Sequence, residues 1–230
     1  MKKFLSTLLI LSLILKISPR TKEEWKSRTI YQLLTDRFSN EKDTPSNCPN
    51  LKKYCGGTYK GIIKHLSYIQ GMSFDAIWIS PIIENLEDSY HGYHFTNLYK
   101  LNPKFGSESD LKNLISECHK RNIWVMVDVV ANHVAPIDTD YSRITPFNKP
   151  EHYHDKCQIT DWNNQWMVEN CRLENLPDLK QENDYVANEL LKWINDIIKK
   201  YNLMVFVLIQ YQKYQNGFGK NLQSQLEYFN

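Results

Sequence analysis

From Arg28 onward the chain alternates two patterns. Short apolar runs, RTIYQLL, DAIWISPI, IWVMVDVVAN and LMVFVLI, read as strands. Between them lie stretches with helical spacing. YKGIIKHLSYIQGM places Ile62, Ile63, Leu66, Ile69 and Met72 on one face. ESDLKNLISECHKRN opens on a capping signal, Ser107 to Asp110, and repeats through Leu111, Leu114, Ile115 and Cys118. ANELLKWINDIIKKYN is a third amphipathic helix. Residues Glu84 to Lys100 read as a loop rich in aromatics and His, and some fifty residues before the third helix have no strong period. The predicted order is β-α-β-α-β, a long insertion, then α-β. Apolar strands alternating with helices predict an α/β fold around a parallel sheet.

Polar residues collect at the C-terminal ends of these strands: Asp36 and Arg37, Ser80, and Asp128 through His133. An α/β barrel or a doubly wound sheet places its site there. No Gly-rich loop follows the first strand, which argues against a nucleotide-binding sheet. The net charge of +2 comes without a long Lys/Arg run, so nothing points to nucleic acid. The chain has 14 Tyr and 6 Trp, which suits a carbohydrate-facing protein, although most aromatics serve a core.

The N-terminus pairs Lys2 and Lys3 with an apolar run from Phe4 to Leu15. That is the pattern of a secretory signal peptide over residues 1–18, with a signal anchor as the alternative. After cleavage no membrane association is expected. Five cysteines fit this reading. Cys48 and Cys55 lie close together in one loop, and Cys157 and Cys171 bracket another. Two local disulfides would staple these loops in an oxidising compartment; the alternative is free thiols throughout. Cys118 is the odd one, expected as a buried free thiol.

Three stretches carry candidate chemistry. In VMVDVVANHV, a carboxylate at Asp128 inside an apolar strand is costly unless paired or hydrogen-bonded. Asn132 and His133 follow at the strand end; an Asn carbonyl suits a hard cation, and a neutral His suits a hydroxyl-rich ligand. In YHGYHF, aromatics and imidazoles alternate around Gly92, which makes a stacking and hydrogen-bonding wall. In the insertion, Glu169 and Asp178 are further candidate cation ligands. Each residue alone is more often structural, Asp128 as half of an Asp–Arg pair.

Together, IYQLLTDRF, CPNLKKYCGGTYKGI, LSYIQGMSFDAIWISPI, YHGYHFTNLYKLNPKFGSESDL, VMVDVVANHV and NLPDL resemble the α-amylase family of retaining glycoside hydrolases, the fungal secreted type in particular. The resemblance spans roughly Glu24 to Asn202. It implies a (β/α)8 TIM barrel with a small domain inserted after the third strand. Here residues 19–134 would be the first part of the barrel, 135–183 the inserted domain, and 184–230 a barrel helix, a strand and an aberrant tail. Both cysteine pairs, Cys48–Cys55 and Cys157–Cys171, match the family's disulfides. The resemblance implies calcium as cofactor, held by Asn132, Glu169 and Asp178. It implies His91, Tyr93, His133 and Trp162 as substrate contacts, and α-glucan polysaccharide (starch, glycogen) as partner of a secreted or digestive-compartment monomer. Asp128 would hold the active-site base rather than react.

Such enzymes need two carboxyl groups, one a nucleophile and one an acid/base. The family's nucleophile lies on the fourth strand, in a stretch like Gly-Phe-Arg-Ile-Asp. The run from Leu203 holds that place without a carboxylate. One base out of register, its codons permit Asp-Gly-Phe-Arg-Ile-Asp-Thr. The tail is therefore expected to be a frame-shifted reading, and the polypeptide as written to be inactive. The alternatives are a non-catalytic glucan-binding fragment, or a related α-glucosidase or transglycosylase.

Overall fold

The computed structural model describes residues 22–42, 48–203 and 205–208, so the leader and the tail beyond Leu208 lie outside the described residues. In chain order the elements are α1 (Lys22–Trp25), β1 (Ile30–Leu33), α2 (Thr35–Phe38), α3 (Tyr59–Lys64), α4 (Leu66–Gly71), β2 (Ala76–Ile79), β3 (Ile83–Asn85), β4 (Phe95–Leu101), α5 (Glu108–Lys120), β5 (Trp124–Val129), α6 (Gln165–Asn170), α7 (Asp184–Tyr201) and β6 (Val205–Leu208). Two 3-10 turns, Tyr141–Arg143 and Pro150–His152, fall in the insertion.

The sheet runs β1-β2-β5-β6, and every neighbouring pair is parallel. The four strands of the sequence reading are thus the four strands of this sheet, in chain order, as an arc of a barrel requires. Every residue of β5 is buried, so apart from Asp128 it reads as an apolar run rather than an alternating one. Tyr59, Ile62, Leu66, Ile69, Leu111, Leu114, Ile115, Leu190, Ile194 and Ile198 pack with the strands in one core. α5 begins with a complete capping box: Ser107 accepts from the Asp110 N–H, and Asp110 accepts from the Ser107 N–H.

Three features differ from the sequence reading. The segment expected as one helix over 59–72 breaks at His65 into α3 and α4. α7 starts three residues before the expected Ala187, because Asn183 accepts from the Tyr185 and Val186 N–H groups. Most consequential, the expected loop from Glu84 to Lys100 is an antiparallel hairpin, β3–β4, with two register shifts. β4 in turn bonds to the chain beyond β5 through Ala135 N–H to Phe95 O at 3.1 Å. The hairpin tip, Leu86–His94, is thereby carried over the C-terminal end of the sheet.

Both expected disulfides are formed, and Cys118 is a buried thiol pushed up to about 12 by burial. The first loop is also held electrostatically. Asp36, 1% exposed, accepts from the Cys55 N–H at 2.8 Å and the Gly56 N–H at 3.1 Å, and lies 2.9 Å from Arg37 Nε. Arg37 donates to the Leu51 and Lys53 carbonyls and covers the Tyr90 ring at 3.7 Å. Gly57 is required beside it: a Cβ there would sit 2.2 Å from Thr35 O. Asp36→Ala should therefore cost about 3 kcal/mol, because it strips the Cys55 and Gly56 N–H groups of their acceptor and Arg37 of its carboxylate. Urea unfolding checks this, and a loss under about 1 kcal/mol would contradict it.

Candidate functional site

β5 is followed by Val130, Ala131, Asn132 and His133, all buried at the C-terminal edge of the sheet. The hairpin tip meets this edge. Tyr93 Oη donates to Asp128 Oδ2 at 2.9 Å, and His133 Nε2 donates to the Tyr93 carbonyl at 2.9 Å. Gly92 makes the approach possible. Its φ is +89°, and a Cβ would lie 2.8 Å from Pro81 Cδ. His91 stacks on Tyr93 with ring centroids 5.5 Å apart and meets His94 edge-on at 4.6 Å. These side chains face Leu173, Glu174 and Leu176 of the insertion across a cleft of about 550 Å³.

Burial sets the charge state of this wall. It lowers His91 to about 4, helped by the neighbouring His94. It lowers His94 as well, against the pull of Glu174. Both rings are therefore uncharged at neutral pH. His91 Nδ1 accepts from the Tyr93 N–H at 3.0 Å, so its proton sits on Nε2. Such a wall offers donors and acceptors to hydroxyl groups without offering charge.

Asp128 is 2% exposed, and burial raises it to about 7, while the hydrogen bonds from Tyr93 and Trp78 oppose the rise. Its other oxygen, Oδ1, has no hydrogen-bond partner, and no Arg or Lys pairs with it among the described residues. The expected Asp–Arg pair is thus replaced by an Asp–Tyr bond within this part of the chain.

A second cluster lies directly behind His133. Asn132 Nδ2 donates to Asp178 Oδ1 at 2.9 Å, and lies 3.5 Å from His133 Nδ1. A carboxylate only accepts, so it is the amide nitrogen and not the amide oxygen that bonds Asp178. That oxygen is buried and has no hydrogen-bond partner. Asp178 Oδ2 lies 2.9 Å from His154 Nδ1, and His154 Nε2 lies 3.1 Å from both Glu182 oxygens. An orphaned amide oxygen next to a buried carboxylate fits a hard cation that takes oxygen ligands. No group of three or more His, Cys, Asp or Glu able to hold a metal occurs among the described residues, so these side chains alone do not complete a shell.

The structure therefore brings His91, Tyr93 and His133 together, and Asn132 with Asp178. Glu169 sits on α6, where it accepts from Gln165 at 2.8 Å. Trp162 is 63% exposed ahead of α6 and does not line the cleft. Residues the sequence reading left out are His94 beside His91, Glu174 on the opposite side of the cleft, and His154 and Glu182 behind Asp178. His94 was legible in YHGYHF. Glu174 and Asn175 both take positive φ, at 47° and 65°, and of the two only Asn signals such a turn.

A family model described as alpha amylase, catalytic domain, matches residues 32–208. The chain is 44% identical over 197 residues to Alpha-amylase 1 of Schwanniomyces occidentalis, covering 79% of this chain and 38% of that protein. It is 41% identical over 197 residues to Alpha-amylase of Saccharomycopsis fibuligera, covering 79% of this chain and 40% of that protein. Among solved structures it is similar to an alpha-amylase from Malbranchea cinnamomea, with TM-score 0.85, 41% identity, and 90% of this chain and 47% of that chain covered. It is also similar to the alpha-amylase from Geobacillus thermoleovorans complexed with acarbose, with TM-score 0.81, 36% identity, and 90% and 45% covered. The chain spans about two fifths of the length of the curated relatives it matches.

Asp128 has a measurable consequence. Its folded value of about 7 lies above the usual carboxylate value of 3.8, so the folded state binds the extra proton between those limits. Stability is then lost as pH rises from about 4 to about 7. Asp128→Asn keeps an acceptor for Tyr93 and removes the titration. Its melting temperature should fall less than the wild type's across this window in thermal scans. Parallel curves for the two proteins would refute the assignment.

Proposed function

The chain belongs to the alpha-amylase catalytic-domain family, and from that membership we propose that it forms the glucan-binding wall and cation clamp of an endo-α-1,4-glucan hydrolase acting on starch or glycogen. The observation that carries this reading is the wall of His91, Tyr93 and His133 at the C-terminal edge of a parallel sheet. Sugar hydroxyls need donors and acceptors in fixed places, and sugar faces need flat rings. His91 Nε2–H would donate to one hydroxyl, and the Tyr93 ring would pack against a glucosyl face. Asp128 would fix Tyr93 from beneath rather than react. Trp162 would stack on sugar outside the cleft.

The retaining reaction uses two carboxyl groups about 5–5.5 Å apart. In this proposal they lie on strands beyond β5, and the run from Leu203 as written supplies none. Calcium would be held by Asn132 Oδ1 and Asp178, with Glu169 joining only if it exchanges its bond to Gln165. When bound, the ion would tie the end of β5 to the insertion and so fix the cleft wall. The basic-apolar leader and the two disulfides support secretion. No described helix is long and apolar enough to cross a membrane.

The transcript across codon 203 tests this reading. It should yield Arg-Ile-Asp one base out of register. The protein so encoded should release reducing sugar from starch, whereas the polypeptide ending at Asn230 should release none. In the active product His133→Ala should lower kcat/KM about 30-fold, the equivalent of about 2 kcal/mol for a lost buried hydrogen bond. A transcript unable to encode those residues, or starch turnover by the 230-residue polypeptide itself, would defeat the proposal.

A further inference from the structure

The chain of contacts behind Asn132 extends well past the two residues that would touch a cation. It runs Asn132, Asp178, His154, Glu182, and each link is a hydrogen-bond distance: 2.9 Å, 2.9 Å and 3.1 Å. Exposure rises outward along it, with the Asp178 side chain at 1%, His154 at 5% and Glu182 at 35%. The backbone runs alongside. His154 N–H donates to Asp178 O at 3.0 Å, Tyr153 and Leu179 form an antiparallel bridge, and Leu179 N–H donates to Asn132 O at 2.8 Å. His154 is therefore fixed to Asp178 through both its main chain and its ring.

A buried carboxylate can rotate about its terminal bond unless both oxygens are held. Here Asn132 holds Oδ1 and His154 holds Oδ2. That rotation decides where the Asn132 amide can sit, because its nitrogen follows Oδ1. The amide's direction in turn decides where its orphaned oxygen points. We propose that His154, braced by Glu182, is a positioning residue for a divalent-cation site at Asn132 and Asp178. It sets the carboxylate angle and, through it, the aim of the amide oxygen, without touching the ion. This rests on the reading of Asn132 and Asp178 as cation ligands. Partners of this kind behind a metal ligand are commonly worth 10–100-fold in affinity.

The test is calcium titration calorimetry on the full 230-residue chain freed of metal with EDTA, with near-ultraviolet circular dichroism as the check on folding. His154→Ala should raise the calcium Kd about 10–100-fold. His154→Asn, whose amide nitrogen can occupy the place of Nδ1, should recover most of that loss. Glu182→Gln should lie between wild type and His154→Ala. If the alanine variant misfolds, the asparagine and Glu182→Gln variants carry the test. A folded His154→Ala protein binding calcium within twofold of wild type would overturn the inference and leave the ligand reading intact. A wild-type chain that binds no calcium would overturn both.

Discussion

The buried hydrogen bond between Asn132 and Asp178 joins residues 46 apart in sequence, and the site depends on it. Asn132 lies three residues beyond β5 (Trp124–Val129), and Asp178 lies near the end of the insertion. Backbone bonds flank the contact on both sides, from Val134 N–H to Pro177 O at 3.1 Å and from Leu179 N–H to Asn132 O at 2.8 Å. Gln181 Nε2 adds a donor to Ala131 O at 3.0 Å. The insertion is therefore pinned to the segment after β5, where His133 holds Tyr93. Release of this contact would free the Leu173–Leu176 side of the cleft from the histidine side. Its cost is an amide oxygen buried without a partner, worth about 1–3 kcal/mol, and a bound cation would relieve that cost.

The cleft wall obeys the same logic of burial. Imidazoles on an open loop would gain and lose protons near neutral pH. Packing His91 between Tyr93 and His94 removes that freedom and leaves a wall of neutral donors and acceptors. Asp128 lies at the bottom of the same stack. Burial, with one oxygen bonded by Tyr93 and the other unpartnered, raises its pKa to about 7. An uncharged surface rich in hydrogen-bonding groups is what a neutral polyol needs, and it does not favour phosphate or carboxylate ligands.

The sheet was legible in the sequence because parallel strands buried on both faces must be largely apolar, as Trp124–Val129 is apart from Asp128. α5 was legible because Ser107 and Asp110 announce it. The β3–β4 hairpin was not, since β3 is three residues long and its pairing shifts register twice. That miss mattered, because the hairpin delivers Tyr93 to Asp128 across 35 residues. The motif YHGYHF marked the right residues without showing what they would touch. His154 was not legible at all. It is a single histidine in an aperiodic stretch, and only the folded insertion places it between two carboxylates. Trp162 and Glu169 show the reverse: residue types suited to the chemistry, on a helix and loop that hold them apart from the cleft wall.

In the proposed function, a hard cation at the unpartnered Asn132 oxygen would clamp the segment after β5 to the insertion. An anomalous-difference map from crystals grown in calcium and soaked in a lanthanide measures this directly. A peak about 2.3–2.6 Å from Asn132 Oδ1 and from an Asp178 carboxylate oxygen is expected. A map without that peak, in which a protein donor satisfies Asn132 Oδ1 instead, would contradict it.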